Sequence, residues 1–330
     1  MTFRFSPAIA ALLSITSAAA TATAQGTPTY LGQPVPGVEP ARFAPGLVST
    51  GLYERDVAVT PDGKEVYFSV VGGQYRFASL VVVREEGGRW VGPEVVPFSG
   101  DPTVMDIEPF VSADGSRLYF ASNRPRPGHP STDRNIDIWY VERSGKAWSQ
   151  PVNLGAPVNT DGEEYFPSLT REGTIYFTRN GEGGAPDMIL RSRLVEGRYG
   201  EPELLPAQVN AGRTRFNAFV APDESFLVLA VIGLPGAIGP SDYHVVFRST
   251  DDQWSEPVNL GRPVNLPETQ GWAASLSPDG RFLFFMSNRV RTDLTGRLDY
   301  ARLRTLGSEA GNGQPDIWWV DASFIKALKK

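Results

Sequence analysis

The chain has 330 residues, 41% of them hydrophobic, with 34 Gly, 28 Pro, no Cys and a formal net charge of −6. Without cysteine there is no disulfide, thiolate nucleophile, Cys-ligated zinc, iron–sulfur cluster or lipid-modified N-terminal Cys, and an acidic chain has no general pull toward nucleic acid or anionic lipid. Plentiful Gly and Pro with little helix-favouring sequence predict an all-β protein.

Residues 1–24 read as a signal peptide. Arg4 supplies the positive region, Pro7 to Ala20 is apolar, and Ala22-Thr23-Ala24 places small residues before a cut at Gln25. The apolar run is too short to span a bilayer, and no later run is long enough either. The expectation is a periplasmic or secreted mature protein without a membrane anchor. Residues 25–37 form an N-terminal extension, 38–321 the folded domain and 322–330 a tail.

From residue 60 onward one turn recurs five times, as Thr60–Lys64, Ser112–Ser116, Thr170–Thr174, Ala221–Ser225 and Ser277–Arg281, at spacings of 52, 58, 51 and 56 residues. Its fullest form is Ser277-Pro278-Asp279-Gly280. Pro presets φ, Asp caps the turn and Gly accepts positive φ. An apolar run precedes each turn, and a second strand follows it: Val66-Tyr67-Phe68, Leu118-Tyr119-Phe120, Ile175-Tyr176-Phe177, Phe226-Leu227-Val228 and Phe282-Leu283-Phe284. A third strand opens on Asp137, Asp187, Asp242 and Asp316, while the first copy lacks that Asp. A fourth carries an aromatic and a Pro, at Trp90 and Pro93, Trp148 and Pro151, Tyr199 and Pro202, and Trp254 and Pro257. Pro suits an outer edge strand.

Four strands per 50- to 58-residue unit is the period of a propeller blade. The fifth copy stops after its third strand, and Pro40–Gly46 reads like Pro151–Pro157. The expected fold is a single β-propeller of five four-stranded blades, closed by that N-terminal strand. The alternative, a six-bladed ring, needs a further turn motif that the sequence does not contain.

The Ser277–Gly280 turn, the Phe285-Met286-Ser287-Asn288-Arg289 strand end and the Asp316-Ile317-Trp318 start resemble the TolB-type, WD40-like propeller repeats of exported bacterial proteins. That resemblance covers about residues 40–321. It implies a binding or scaffold role at one face of the ring rather than any one activity.

In such a blade the loops entering the first strand and those joining the second and third share one face. The entry positions are Glu54 and Asp56; Asp106 and Glu108; Glu163, Glu164 and Tyr165; Arg215, Phe216 and Asn217; Gln270 and Trp272. The other loops add Asn123, Arg124, Arg126, His129 and Arg134; Arg179 and Asn180; Asn288, Arg289 and Arg291. The candidate ligand-binding set is Asp56, Glu108, Glu164, Arg215, Asn217, Trp272, Arg124 and Arg289. It would hold a sugar, a peptide terminus, a cell-envelope protein or a cation at Asp56 and Glu108. The plainer alternative is that Arg124, Arg179 and Arg289, each after an Asn or Thr at a strand end, latch neighbouring loops. Two long loops, Arg124–Ile136 and Val290–Gln314, are candidate lids.

Catalytic motifs are weak. Asp133–Asp137 has a calcium loop's odd-position oxygens but lacks its Gly. His244 lies in a third strand as a packing residue, no Gly-x-Ser-x-Gly elbow exists, and Ser323-Phe324-Ile325-Lys326 is a chance match in the tail. No metal or cofactor is expected. Two function classes stand: a non-catalytic binding or scaffold module, and a glycoside-active enzyme using Asp56, Glu108 and Glu164 as central carboxylates.

Overall fold

The computed structural model describes residues 29–130, 132 and 134–329. The signal-peptide segment and Asp133 of the calcium-like loop lie outside them. Five antiparallel four-strand blades form a ring. Their innermost strands are Tyr53–Val59, Asp106–Val111, Glu164–Leu169, Thr214–Val220 and Ala274–Leu276. Each is followed by the recurrent turn, a second strand and a third, and the apolar faces of adjacent blades bury one another.

The ring closes as the two chain ends require. Ala41–Arg42 pairs with the third strand of the last blade, Asp316–Asp321, in the register Trp318 to Arg42 and Trp319 to Ala41. Phe43 follows, fully buried, with its ring 4.8 Å from Phe284 and 5.4 Å from Trp319. A small hairpin, Thr29–Tyr30 against Gln33–Pro34, lays Tyr30 over Phe282, Phe284 and Trp319. The N-terminal extension thus adds to the closing core.

The outer strands differ from the sequence reading in one respect. In blade 1 Trp90 and Pro93 both lie in the strand Arg89–Val95. In blades 2 to 4 the aromatic sits in the hairpin end, and the strand proper starts after the Pro, at Val152–Asn153, Glu203–Leu204 and Val258–Asn259. A residue without an N–H cannot join the ladder at that point.

After each outer strand one polar side chain ties the connector to the third strand. Asn159 accepts from the Ile138 N–H at 3.0 Å and donates to the Ile138 carbonyl at 2.9 Å. Asn265 does the same to Tyr243, and Asn210 to Ile189. Ser99 bonds the Leu80 N–H and Ser49 the Ile317 carbonyl in the remaining two blades. The strand-opening acids belong to this clasp, since Asn153 donates to Asp137 at 2.7 Å and Asn259 to Asp242 at 2.9 Å.

Two α-helices lie outside the repeat pattern. The Val290–Gln314 loop contains a helix, Tyr300–Gly307, capped by Asp299 accepting from the Arg302 N–H at 2.8 Å. The tail forms a short helix, Ser323–Ala327, whose Ile325 is buried against blades 4 and 5.

Candidate functional site

Every inner strand runs along the central channel. In the first four blades it bulges at the residue six positions before the turn acid: Asp56, Glu108, Phe166 and Asn217, at φ 56°, 61°, 53° and 56°. Left-handed backbone is costly for non-Gly residues, and a bulge re-aims the side chains beside it. Ala273 holds the equivalent place in blade 5.

The bulges are latched across blades. Ser69 accepts from the Glu108 N–H at 2.9 Å, and Thr178 accepts from the Asn217 N–H at 3.0 Å. Blade 2 has Ala121 where these hydroxyls stand, so it cannot do the same. The Glu108 carboxylate replaces the missing hydroxyl and accepts from the Phe166 N–H at 2.8 Å.

A guanidinium fills the space between the first two blades. Arg55 donates from Nε to both oxygens of Asp56 at 2.9 and 2.7 Å, from one Nη to Glu108 at 2.8 Å and from the other to the Tyr75 hydroxyl at 2.8 Å. Ser69 donates to Asp56 at 2.9 Å. Arg55, Asp56 and Glu108 are only 2, 6 and 3% exposed. Burial works against the Arg55 charge, but Asp56, the Tyr75 hydroxyl and Glu108 outweigh it and raise its pKa well above the ordinary value. Burial pushes Glu108 upward, with Arg55 opposing.

The other candidate residues are also engaged. Glu164 takes Arg179 at 2.7 Å and the Thr160 hydroxyl at 2.6 Å. Arg124 pairs with Asp106 at 2.6 Å and reaches the Phe98 carbonyl. Arg289 grips the Pro263 and Val264 carbonyls, and burial pulls its pKa down to about 10. Arg215 is buried on the carbonyls of Ala211, Gly212 and Asp187 at 2.8 to 3.0 Å, and burial lowers its pKa. Asn217 is buried beside Glu108 and favours its ionised form. Trp272 is half-buried, and its backbone N–H donates to the Tyr243 hydroxyl at 3.0 Å. Its ring lies 5.5 Å from Phe216, and its Nε1 is 3.4 Å from the exposed Gln270 side chain. Asp56, Glu108 and Asn217 therefore lie at the bulges of the inner strands and Trp272 one residue before the matching place in blade 5, while Arg124, Glu164, Arg215 and Arg289 sit in loop latches.

The sequence reading passed over Arg55. Its signal was the repeat register: one residue before each bulge stand Arg55, Ile107, Tyr165, Phe216 and Trp272. Three consecutive blades place an aromatic there. The Tyr75 and Tyr53 rings, 5.7 Å apart, add to the same rim from blade 1.

Glu54 lies deeper in the seam between the last and first blades, bonded to Thr50, with its second oxygen unpartnered among the described residues. Burial raises its pKa to about 7 and that of nearby Asp316 to about 6. Both folded values exceed the unfolded ones, so this contribution favours folding most below about pH 4 and is lost as pH rises through about 6 to 7. His244, lowered by burial, pulls the other way below its ordinary value. Glu54→Gln isolates the first effect. Its melting temperature minus the wild type's is expected to be several degrees larger at pH 8 than at pH 5, and an unchanged difference would contradict this assignment.

No known family model matches this chain, and no curated protein matches it. Similar solved structures include TolB from Acinetobacter baumannii, at 15% identity and TM-score 0.46, covering 82% of this chain and 57% of that one. The catalytic domain of the Coprinopsis cinerea GH62 α-L-arabinofuranosidase gives 10% and 0.48, covering 86% and 96%. The Bacteroides ovatus xyloglucan-locus GH43B gives 12% and 0.49, covering 86% and 57%. Such distances leave ligand and activity open.

Proposed function

We propose that this is an exported, non-catalytic binding or scaffold propeller of the TolB type, recognising a polar ligand (a glycan, a peptide or an envelope protein) at the loop face of the ring. The observation that carries the reading is the internal neutralisation of the channel carboxylates. Asp56 and Glu108 share Arg55, Glu164 holds Arg179, and Asp106 holds Arg124. A glycoside-cleaving pair needs one carboxyl poised to give a proton and another facing the substrate. Here the acids are occupied with latching blades. The ligand-facing groups are then the aromatics above them, Trp272, Phe216 and Tyr165, which suit the apolar face of a sugar or a peptide side chain. In this reading Asp56, Glu108, Arg215 and Asn217 shape the mouth from beneath.

The test is a thermal-shift screen of the mature protein over glycans and peptides, followed by Trp272→Ala. The substitution is expected to weaken binding of any hit by about 1 kcal/mol or more while leaving the unliganded melting temperature within about 2 °C, a small shift for a domain this large. Unaltered affinity would place the ligand elsewhere. The second reading, glycoside chemistry, draws on the upward push of burial on Glu108.

A further inference from the structure

The opposite end of the channel has a different chemistry. On the turn face all five inner strands open into a recess of about 300 Å³. Its walls include Val57, Phe110, Leu169, Phe219 and Leu276. At its rim the turns present one residue per blade in a shared register: Pro61, Ala113, Arg171, Pro222 and Pro278.

Blade 3 is the exception in that series. Four blades cover the rim with a ring or a methyl, and the third projects an exposed guanidinium. The Arg171 backbone is fixed, since its N–H donates to the Pro222 carbonyl of the next blade at 2.9 Å. Its side chain has no ion pair and no hydrogen bond among the described residues, although most arginines around the ring are paired. The Arg171 charge helps keep the Asp223 carboxyl below its ordinary value, but the oxygens of the nearby turn acids are bonded within their own turns. Asp223 holds Ser225, and Asp279 holds the Ser277 hydroxyl at 2.6 Å and the Arg281 N–H at 3.1 Å.

We propose that this recess is a second binding site, for a small amphiphilic monoanion: an alkyl chain carrying one terminal carboxylate. The apolar walls take the chain, and Arg171 takes the carboxylate in a two-point hydrogen bond. A recess of this size takes a short alkyl carboxylate such as octanoate. The acids of the surrounding turns repel a second negative charge, which selects a carboxylate over a phosphate dianion. The site is independent of the loop-face reading, from which it is separated by the Arg55 cluster.

Octanoate, octanol and octyl phosphate are each titrated calorimetrically into the full protein, below the concentrations at which they aggregate. Octanoate is expected to bind one per chain, with octanol and octyl phosphate at least tenfold weaker. Arg171→Gln is expected to cost octanoate at least tenfold, and Trp272→Ala to leave it unchanged. Arg171 is exposed, so its loss should not affect folding, and the unliganded melting temperature checks this. No saturable octanoate binding, equal binding of octanol, or an Arg171→Gln protein that binds as well as wild type would each overturn the proposal.

Discussion

Deleting residues 25–46 is expected to yield a protein that aggregates, or that melts at least 10 °C below the wild type. The cause is local. The deletion strips Ala41–Arg42 from the last blade and leaves the strand Asp316–Asp321 as an open edge, a template for pairing with other chains. It also removes Phe43, whose ring fills the space between Phe284 and Trp319. Phe43→Ala separates the two contributions. Truncating a buried Phe typically costs about 3–5 kcal/mol, and each kcal/mol moves the melting point of a large domain by roughly 2–4 °C. Phe43→Ala should therefore melt on the order of 10 °C low without aggregating, because the edge is still covered. Wild-type melting of the deletion variant would show that the ring does not depend on this closure.

The second large effect is expected at Arg55. Arg55→Met keeps most of the side-chain volume and removes the charge, leaving Asp56 and Glu108 buried without a cation. Breaking a buried ion pair from one side costs about 3–5 kcal/mol. The penalty comes from the stranded carboxylates, so neutralising them should recover part of it. Arg55→Met with Asp56→Asn and Glu108→Gln is expected to melt well above Arg55→Met alone. Gln can still accept the Phe166 N–H that Glu108 holds, so the latch to blade 3 survives. A melting temperature of Arg55→Met within about 2 °C of wild type would show that the cluster is not the strut described here.

The fold was legible because its information is local. Each turn sits beside the strands it joins, and Pro, Asp and Gly declare it without reference to distant residues. Closure was legible for a related reason: a blade lacking a strand at one end and a spare strand at the other have only one way to meet. The helix Tyr300–Gly307 was missed although Asp299 marks its start, because the segment lies between repeats and has no second copy for comparison. The candidate mouth was legible as a set of positions but not as a set of roles. Which of two acids faces solvent depends on what lies between them, and Arg55 belongs to a register position that carries Ile, Tyr, Phe and Trp in the other blades. The role of Glu108 could have been read from Ser69 and Thr178, whose hydroxyl Ala121 lacks at the aligned position. Nothing in the composition of a single blade shows that.

The channel carboxylates are expected to hold blades together and to do no chemistry. A panel of aryl furanosides and pyranosides, incubated with wild type and with Glu108→Gln and followed by release of the aryl alcohol, tests it most directly. No release above the protein-free control is expected for either protein. Turnover by the wild type that Glu108→Gln abolishes, with both proteins melting alike, would contradict it and make Glu108 a catalytic residue.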